Sequence, residues 1–284
     1  MQETKTRNSS AFQLPQPLRP RPQRGRAALA AGLVRFAARS AGNGYWDFTG
    51  NAIRSLADLI GRSAADVLAG QDVVACNLCG WTGRGFYRNT GPGYDELNSV
   101  CPGCLASDRY RSLFAVLRER TTAFTAGSRV VEVAPLRSLE TIFLNSSGVD
   151  YTSFDLERHA MEQGDITAMR YADSSVDWFI CFHVLEHIPD EAAALDEIHR
   201  VLRPGGSALF QVPVDWQAAC TREYPAPDPR DVGHVRRHGR DFGPRLARHG
   251  FAIDQIAPGL DVSPRQVARA GLSPEPVFLA TAIK

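Results

Sequence analysis

Arg129-Val130-Val131-Glu132-Val133-Ala134 is a short, mostly β-branched run that gives way to Pro135-Leu136-Arg137, after which Ser138 opens a segment with Leu139, Ile142 and Phe143 at helical spacing. A strand running straight into a helix begins an α/β sheet whose strands are mostly parallel, and a ligand belongs at that strand-to-helix crossover. From Gly127 onward strand and helix patterns alternate to the end, as expected of a sheet covered by helices on both faces. Tyr151-Thr152-Ser153-Phe154-Asp155-Leu156 reads as the next strand. Its carboxylate, Asp155, stands 23 residues after Glu132, about the spacing at which an acid grips ribose hydroxyls. Gly164-Asp165-Ile166-Thr167 offers a backbone amide and the Asp165 side chain to the edge of a base. Ser175 to His183 reads as a central buried strand that delivers His183, Glu186 and His187 to the carboxyl end of the sheet.

Ahead of this sheet stand two knuckles, Cys76-Asn77-Leu78-Cys79 and Cys101-Pro102-Gly103-Cys104. Two Cys-x-x-Cys pairs complete a tetrahedral sphere of thiolates and leave no open position for a reacting water, so a bound Zn2+ would be structural. The intervening residues hold Gly80, Gly83, Gly85, Gly91, Pro92 and Gly93, which predicts turns with little regular structure. Trp81, Phe86, Tyr87 and Tyr94 are the candidates for a small core. Such a module has too little apolar surface to fold without its metal.

The chain has 284 residues, 44% of them hydrophobic and 22% charged, enough for one sizeable core with a small appendage. Four divisions follow: a basic, proline-rich arm over 1–26, a helical segment over 27–73, the cysteine module over 74–106, and an α/β domain over 107–284. A formal charge of +1 does not suit a protein that neutralises many phosphates, so nucleic acid is not the expected partner. Paired cysteine knuckles in a chain of this length fit a reducing compartment, and a cytoplasmic location is expected. No run approaches the roughly 18 apolar residues of a membrane span.

Gly164-Asp165-Ile166-Thr167, Asp173 to Asp177, His183-Val184-Leu185-Glu186-His187-Ile188-Pro189-Asp190 and Glu197 to Gly206 together resemble the class I S-adenosylmethionine-dependent methyltransferases, in particular the bacterial group with the His-Val-Leu-Glu-His signature. The resemblance covers about residues 127–284. It implies a Rossmann-like, seven-stranded sheet with S-adenosylmethionine at the switch point and methyl transfer by in-line displacement. The cofactor contacts it implies are Glu132, Ala134, Pro135, Asp155, Leu156, Asp165, Ile166 and His183, with Glu132 toward the cofactor's ammonium. A subset of these enzymes carries an upstream Cys-x-x-Cys pair and ends it with Cys-Pro-x-Cys and a basic helix start, which Cys101 to Arg111 resembles, Arg109 and Arg111 included. Where the wider family has a glycine-rich first loop, this chain has Ala134-Pro135-Leu136-Arg137. Similar enzymes of ubiquinone biosynthesis hold a divalent cation with acidic residues around the signature; here His183 stands at one of those positions.

His187, His183 and His234 are the candidate general bases, since an imidazole near neutrality can take a proton from a hydroxyl or amine. Leu195, Ile198, Val201 and Leu202 form the apolar stripe of a helix stopped by Pro204 and Gly205, and Cys181 reads as core. Between Asp231 and His249, a cluster of arginines and histidines suggests an anionic substrate. The expected activity is O- or N-methylation of a small molecule or sugar. Two alternatives remain open: methylation of RNA guided by the zinc module, and a cofactor-binding protein or cyclase that transfers no methyl group.

Overall fold

The computed structural model describes residues 74–91, 94–157, 160–257 and 263–284, with scattered helical positions between 30 and 57. The basic arm and most of the segment 27–73 lie outside the described residues.

The cysteine module consists of two antiparallel pairs, β1 (Val74–Ala75) with β2 (Thr82–Gly83) and β3 (Tyr87–Gly91) with β4 (Tyr94–Val100). This corrects the expectation of little regular structure. The glycines close turns between short strands, and the alternation of Tyr94–Val100 pairs with Tyr87–Gly91. Each knuckle then turns back through a residue with left-handed backbone, Gly80 (φ 73°) after the first and Leu105 (φ 63°) after the second. A side chain on Gly103 would come within 2.9 Å of the Trp81 Cβ, so the second knuckle needs glycine there.

Helix α1 (Asp108–Arg120) leads into β5 (Arg129–Val133), α2 (Arg137–Leu144), β6 (Asp150–Asp155), β7 (Glu162–Gln163), β8 (Val176–Phe182), α3 (Glu191–Val201) and β9 (Leu202–Gln211). Pro204 does stop the helix, but Leu202 already belongs to the following strand. A hairpin of β10 (Arg222–Asp228) and β11 (His234–Arg237) interrupts the alternation, and α4 (Phe242–Arg248), β12 (Phe251–Ile256), α5 (Pro264–Ala270) and β13 (Val277–Ala282) complete the chain. The central sheet runs β12-β13-β9-β8-β5-β6-β7. Strands β5 to β9 are parallel, and β13 alone inserts antiparallel between β9 and β12. This is a seven-stranded, Rossmann-like sheet.

Successive strand residues face opposite sides, and the core divides accordingly. Val131, Phe179, Ala208 and Phe278 pack with Leu195 and Ile198 of α3 and with Phe242 and Leu246 of α4. Val130, Ile180, Leu209 and Val277 pack on the other side with Leu113 and Leu117 of α1, Leu139 and Phe143 of α2, and Leu78 and Phe86 of the cysteine module. The chain leaves β5 outward to β6 and β7, then returns to β8 on the opposite side. That reversal opens a crevice at the carboxyl ends of β5 and β8.

One arginine fastens the cysteine module to this framework. Arg111 is fully buried, donates to the carbonyls of Ala270 (2.7 Å), Ala106 (2.9 Å) and Gly271 (2.7 Å), and lays its guanidinium 3.7 Å from the Phe86 ring centre. Asn77 of the first knuckle donates to the Arg111 carbonyl at 2.8 Å, and Ser112 and Ser273 bond beside it. Replacing Arg111 by Met leaves those carbonyls without a donor. We expect R111M to lower the unfolding free energy by about 3 kcal/mol, measured by denaturant titration.

Candidate functional site

Glu132 lies on β5 facing α1 and α2, with only 2% of its surface exposed. Tyr151 donates its hydroxyl to Glu132 Oε2 at 2.6 Å, and the Leu136 amide reaches Oε1 at 3.3 Å. Burial pushes this carboxyl up to about 8 in spite of both donors. Among the described residues no cation is paired with this acid, and a ligand's ammonium would supply one. Tyr110 of α1 borders the same space: its ring centre is 6.4 Å from that of Phe182, and its hydroxyl is pushed up by burial and by the charges of Glu132 and Glu186.

Ala134, two residues after Glu132, has φ 50°, a left-handed conformation held by the hydrogen bond its amide donates to the Phe154 carbonyl. The turn keeps the shape that glycine adopts freely, at a cost of roughly 1–2 kcal/mol for an L-residue. Pro135 is partly exposed in the same turn. On β6, Asp155 is half-buried at the strand end and accepts from the Glu157 amide at 2.8 Å, while Leu156 beside it is 65% exposed. An acid for a diol next to an uncovered apolar side chain suits a nucleoside. Asp165 is exposed and accepts from the amide and hydroxyl of Thr167, each at 2.8 Å. Ile166 buries its side chain in the core, so only its backbone is available to a ligand. A hollow of about 180 Å³ lined by Phe154, Gly164, Asp165 and Met169 lies on this side of the sheet.

His183 follows β8 with φ 53°. Its Nδ1 is 3.1 Å from Glu186 Oε1, and the Arg109 Nη1 is 3.4 Å and 3.5 Å from its two ring nitrogens. Nearly equal distances place the guanidinium across the ring rather than on one lone pair. Burial alone would raise the Glu186 carboxyl, but bonding to His183 and the charges of His183 and His187 hold it below its usual value. His187 is exposed, and its ring meets that of buried His234 edge-on with centres 4.7 Å apart. Burial lowers the His234 imidazole, keeping it neutral near pH 7. Thus all three expected histidines gather at the sheet's carboxyl end. Glu186, His187 and His234 also offer one carboxylate and two imidazoles within 4.8 Å of one another, a donor set that suits a divalent ion.

The basic run is spent internally. Arg236 donates to the carbonyls of Leu185 and Ile188 (2.6 Å each) and Pro189 (3.0 Å) and to Glu223, clamping the β10–β11 hairpin on the signature turn. Arg237 pairs with Asp231, His238 and Arg245 with Glu191, and Arg240 with the Trp216 carbonyl. These partners correct the reading of this stretch as an anion site.

The four knuckle thiols form a cluster within 4.8 Å, with Cys76 Sγ 3.7 Å from Cys104 Sγ and Cys79 Sγ 3.7 Å from Cys101 Sγ. Four sulfurs about 2.3 Å from one tetrahedral ion stand about 3.8 Å apart. All four are free of disulfides, and the Gly103 amide points at Cys101 Sγ (3.3 Å). Mutual hydrogen bonding, led by Cys101 in both cases, holds the Cys76 thiol low and pushes Cys104 up, so the thiols compete for charge that a cation would let them all carry.

Residues 120–210, spanning β5 to β9, match a protein family described as "Methyltransferase domain". This stretch is similar to a methyltransferase domain. The chain is 36% identical over 97 residues to an uncharacterized 37.1 kDa protein in a transposon of Streptomyces fradiae, a match covering 34% of this chain and 26% of that protein. It is 34% identical over 119 residues to a ubiquinone biosynthesis O-methyltransferase of Xanthomonas campestris, covering 42% of this chain and 43% of the relative. The match thus spans less than half the length of either relative. Among solved structures, a putative S-adenosylmethionine dependent methyltransferase from Listeria monocytogenes is 15% identical with a TM-score of 0.44, covering 62% of this chain and 100% of that one. No helix of the described residues is long and apolar enough to cross a membrane.

The sequence points to the acid on β5 and to Glu186 in the signature, but gives no role in the crevice to Arg109 and Tyr110, which precede the matched stretch; the basic helix start after Cys104 is the available signal for them. Because folding raises the Glu132 value from 4.5 to about 8, the folded chain keeps a proton that the unfolded chain releases, and stability falls as pH rises across that window. A ligand ammonium favours the ionised acid. We expect affinity for S-adenosylhomocysteine, measured by calorimetry, to rise by up to about tenfold per pH unit below 8 and then level off. E132Q should flatten that dependence.

Proposed function

We propose that the protein is an S-adenosylmethionine-dependent methyltransferase that O- or N-methylates a small molecule, with a structural zinc ion in its cysteine module. The observation that carries this reading is the placement of Glu132 and Asp155 at the carboxyl ends of adjacent strands β5 and β6, at the reversal point of the sheet. One is a buried acid without a cation, and the other is a partly exposed acid beside an uncovered leucine. When bound, S-adenosylmethionine supplies a methyl group on a sulfonium, already activated for displacement. Glu132 would hold the ammonium, Asp155 the ribose diol, and Leu156 a face of the base. His183, His187 and His234 border the side from which an acceptor approaches, and the low value of His234 leaves a neutral imidazole to take the acceptor's proton as the new bond forms. Catalysis then rests chiefly on orientation, with proton transfer secondary.

The resemblance of residues 120–210 to a methyltransferase domain and the likeness to a ubiquinone biosynthesis O-methyltransferase support small-molecule transfer. The mixed charge of the cysteine module, where Arg88 pairs with Asp95 and Arg109 with Glu96, does not favour an RNA reader. Incubation with labelled S-adenosylmethionine and candidate acceptors, followed by mass spectrometry for the added methyl, tests the activity. D155A should weaken S-adenosylhomocysteine binding about tenfold or more, and unchanged affinity would count against this site.

For the module, we expect metal analysis to find one zinc ion per chain. C101S should lose it and lower the thermal unfolding midpoint, because an incomplete thiolate sphere no longer ties the knuckles to α1. Full thermal stability of a metal-free C101S protein would remove zinc from the account.

A further inference from the structure

Around His183, beside the unpaired Glu186 Oε2, three further buried polar atoms have no hydrogen-bond partner among the described residues: Arg109 Nε, Gln211 Oε1 and Glu275 Oε2. They come from three separate parts of the chain. Arg109 opens helix α1 directly after the cysteine module, and Glu96 of β4 holds its Nη2 at 2.7 Å. Gln211 ends β9, is 1% exposed, and donates its own amide to the carbonyls of Glu275 and Pro276 while its backbone carbonyl accepts from the His183 amide. Glu275 precedes β13, and the charges it feels most are those of Arg109 and His183. A folded chain rarely leaves several buried polar atoms unsatisfied in one place unless a ligand or water completes them.

The balance of these atoms restricts the ligand. Two of the three, on Gln211 and Glu275, can accept a hydrogen bond, and one, on Arg109, can donate. The surrounding charges point the same way, because Arg109 is already neutralised by Glu96 at 2.7 Å and the nearby acids Glu186 and Glu275 remain. A carboxylate or phosphate would meet more acceptors than donors here, and each mismatched pair costs desolvation without return.

We propose that Arg109, Gln211 and Glu275 form the acceptor-binding wall of the enzyme, and that this wall selects a small molecule rich in hydrogen-bond donors, bearing hydroxyl or ammonium groups and no net negative charge. This rests on the methyltransferase reading above and adds the substrate class. Glu275 accepts from the donor-rich ligand, Gln211 shares a second donor, and Arg109 gives its Nε–H to a ligand oxygen. The cysteine module contributes through Glu96 and Tyr94, whose ring centre lies 5.8 Å from the Arg109 guanidinium, so the metal module helps to shape the acceptor pocket.

The test uses the full chain with labelled S-adenosylmethionine and three size-matched panels: neutral polyols and amino sugars, carboxylates, and phosphate monoesters. Methyl incorporation is expected in the first panel. For the best acceptor found, E275Q and Q211A should each raise KM about tenfold or more while S-adenosylhomocysteine affinity stays within about twofold. That unchanged affinity also shows that the variants fold. Incorporation confined to the carboxylate or phosphate panels, no incorporation from any panel, or an unaltered KM in both variants would overturn the proposal. Failure of the wild-type chain to bind S-adenosylhomocysteine would instead overturn the enzyme reading beneath it.

Discussion

The guanidinium of Arg111, buried against Phe86 and bonded to carbonyls of Ala106, Ala270 and Gly271, is the contact on which the arrangement of the two parts depends. A buried cation is tolerated only where several oriented dipoles face it, and here they come from the second knuckle and from the end of α5. Fixing Arg111 fixes the rotation of α1. Its neighbours then have no choice of direction, because adjacent helical residues point about 100° apart. Arg109 reaches His183 and Glu96, and Tyr110 reaches the space beside Glu132 and Phe182. One helical turn thus carries the geometry of the cysteine module into the crevice of the sheet.

Local pattern was enough for the features that depend on local pattern. The β-branched run of β5, the acid near its carboxyl end, the spacing to Asp155 and the two cysteine knuckles are each set by a few consecutive residues, and the structure places them as those residues require. The strand order and the hairpins of the cysteine module depend on pairing between distant segments, which period-2 alternation marks only weakly in stretches as short as Thr82–Gly83. Glu275 and Gln211 were invisible for the same reason: neither sits in a recognisable motif, and they meet only because β13 inserts beside β9. Ile166 shows why a motif does not say which part of a residue faces a ligand: its side chain fills the core, which leaves only its backbone for a ligand.

Charge counting misled in an instructive way. The excess of arginine and histidine after Asp231 resembles an anion site in one dimension, yet the partners are Glu191, Glu223 and Asp231 together with turn carbonyls. What those cations do is mechanical. Arg236 joins β11 to the turn that presents His187, so His234 is held against His187 by the same interaction.

Three buried or half-buried acids meet at the carboxyl end of the sheet, and each is stabilised differently. Glu186 is held ionised by His183 and helped by His187. Glu132 has a hydroxyl and an amide but no cation, and burial drives it toward the neutral form. Glu275 has Arg109 and His183 in range, yet desolvation still dominates, and one of its oxygens is unpaired. The protein spends its own cations on the acid that must stay charged to orient the signature histidine. The two acids left short of positive charge or donors are those facing the sides from which a cofactor and an acceptor would enter, and ligands that carry ammonium or hydroxyl groups complete both. Selectivity for such ligands therefore follows from where the described residues leave a buried acid without a directly bonded cation.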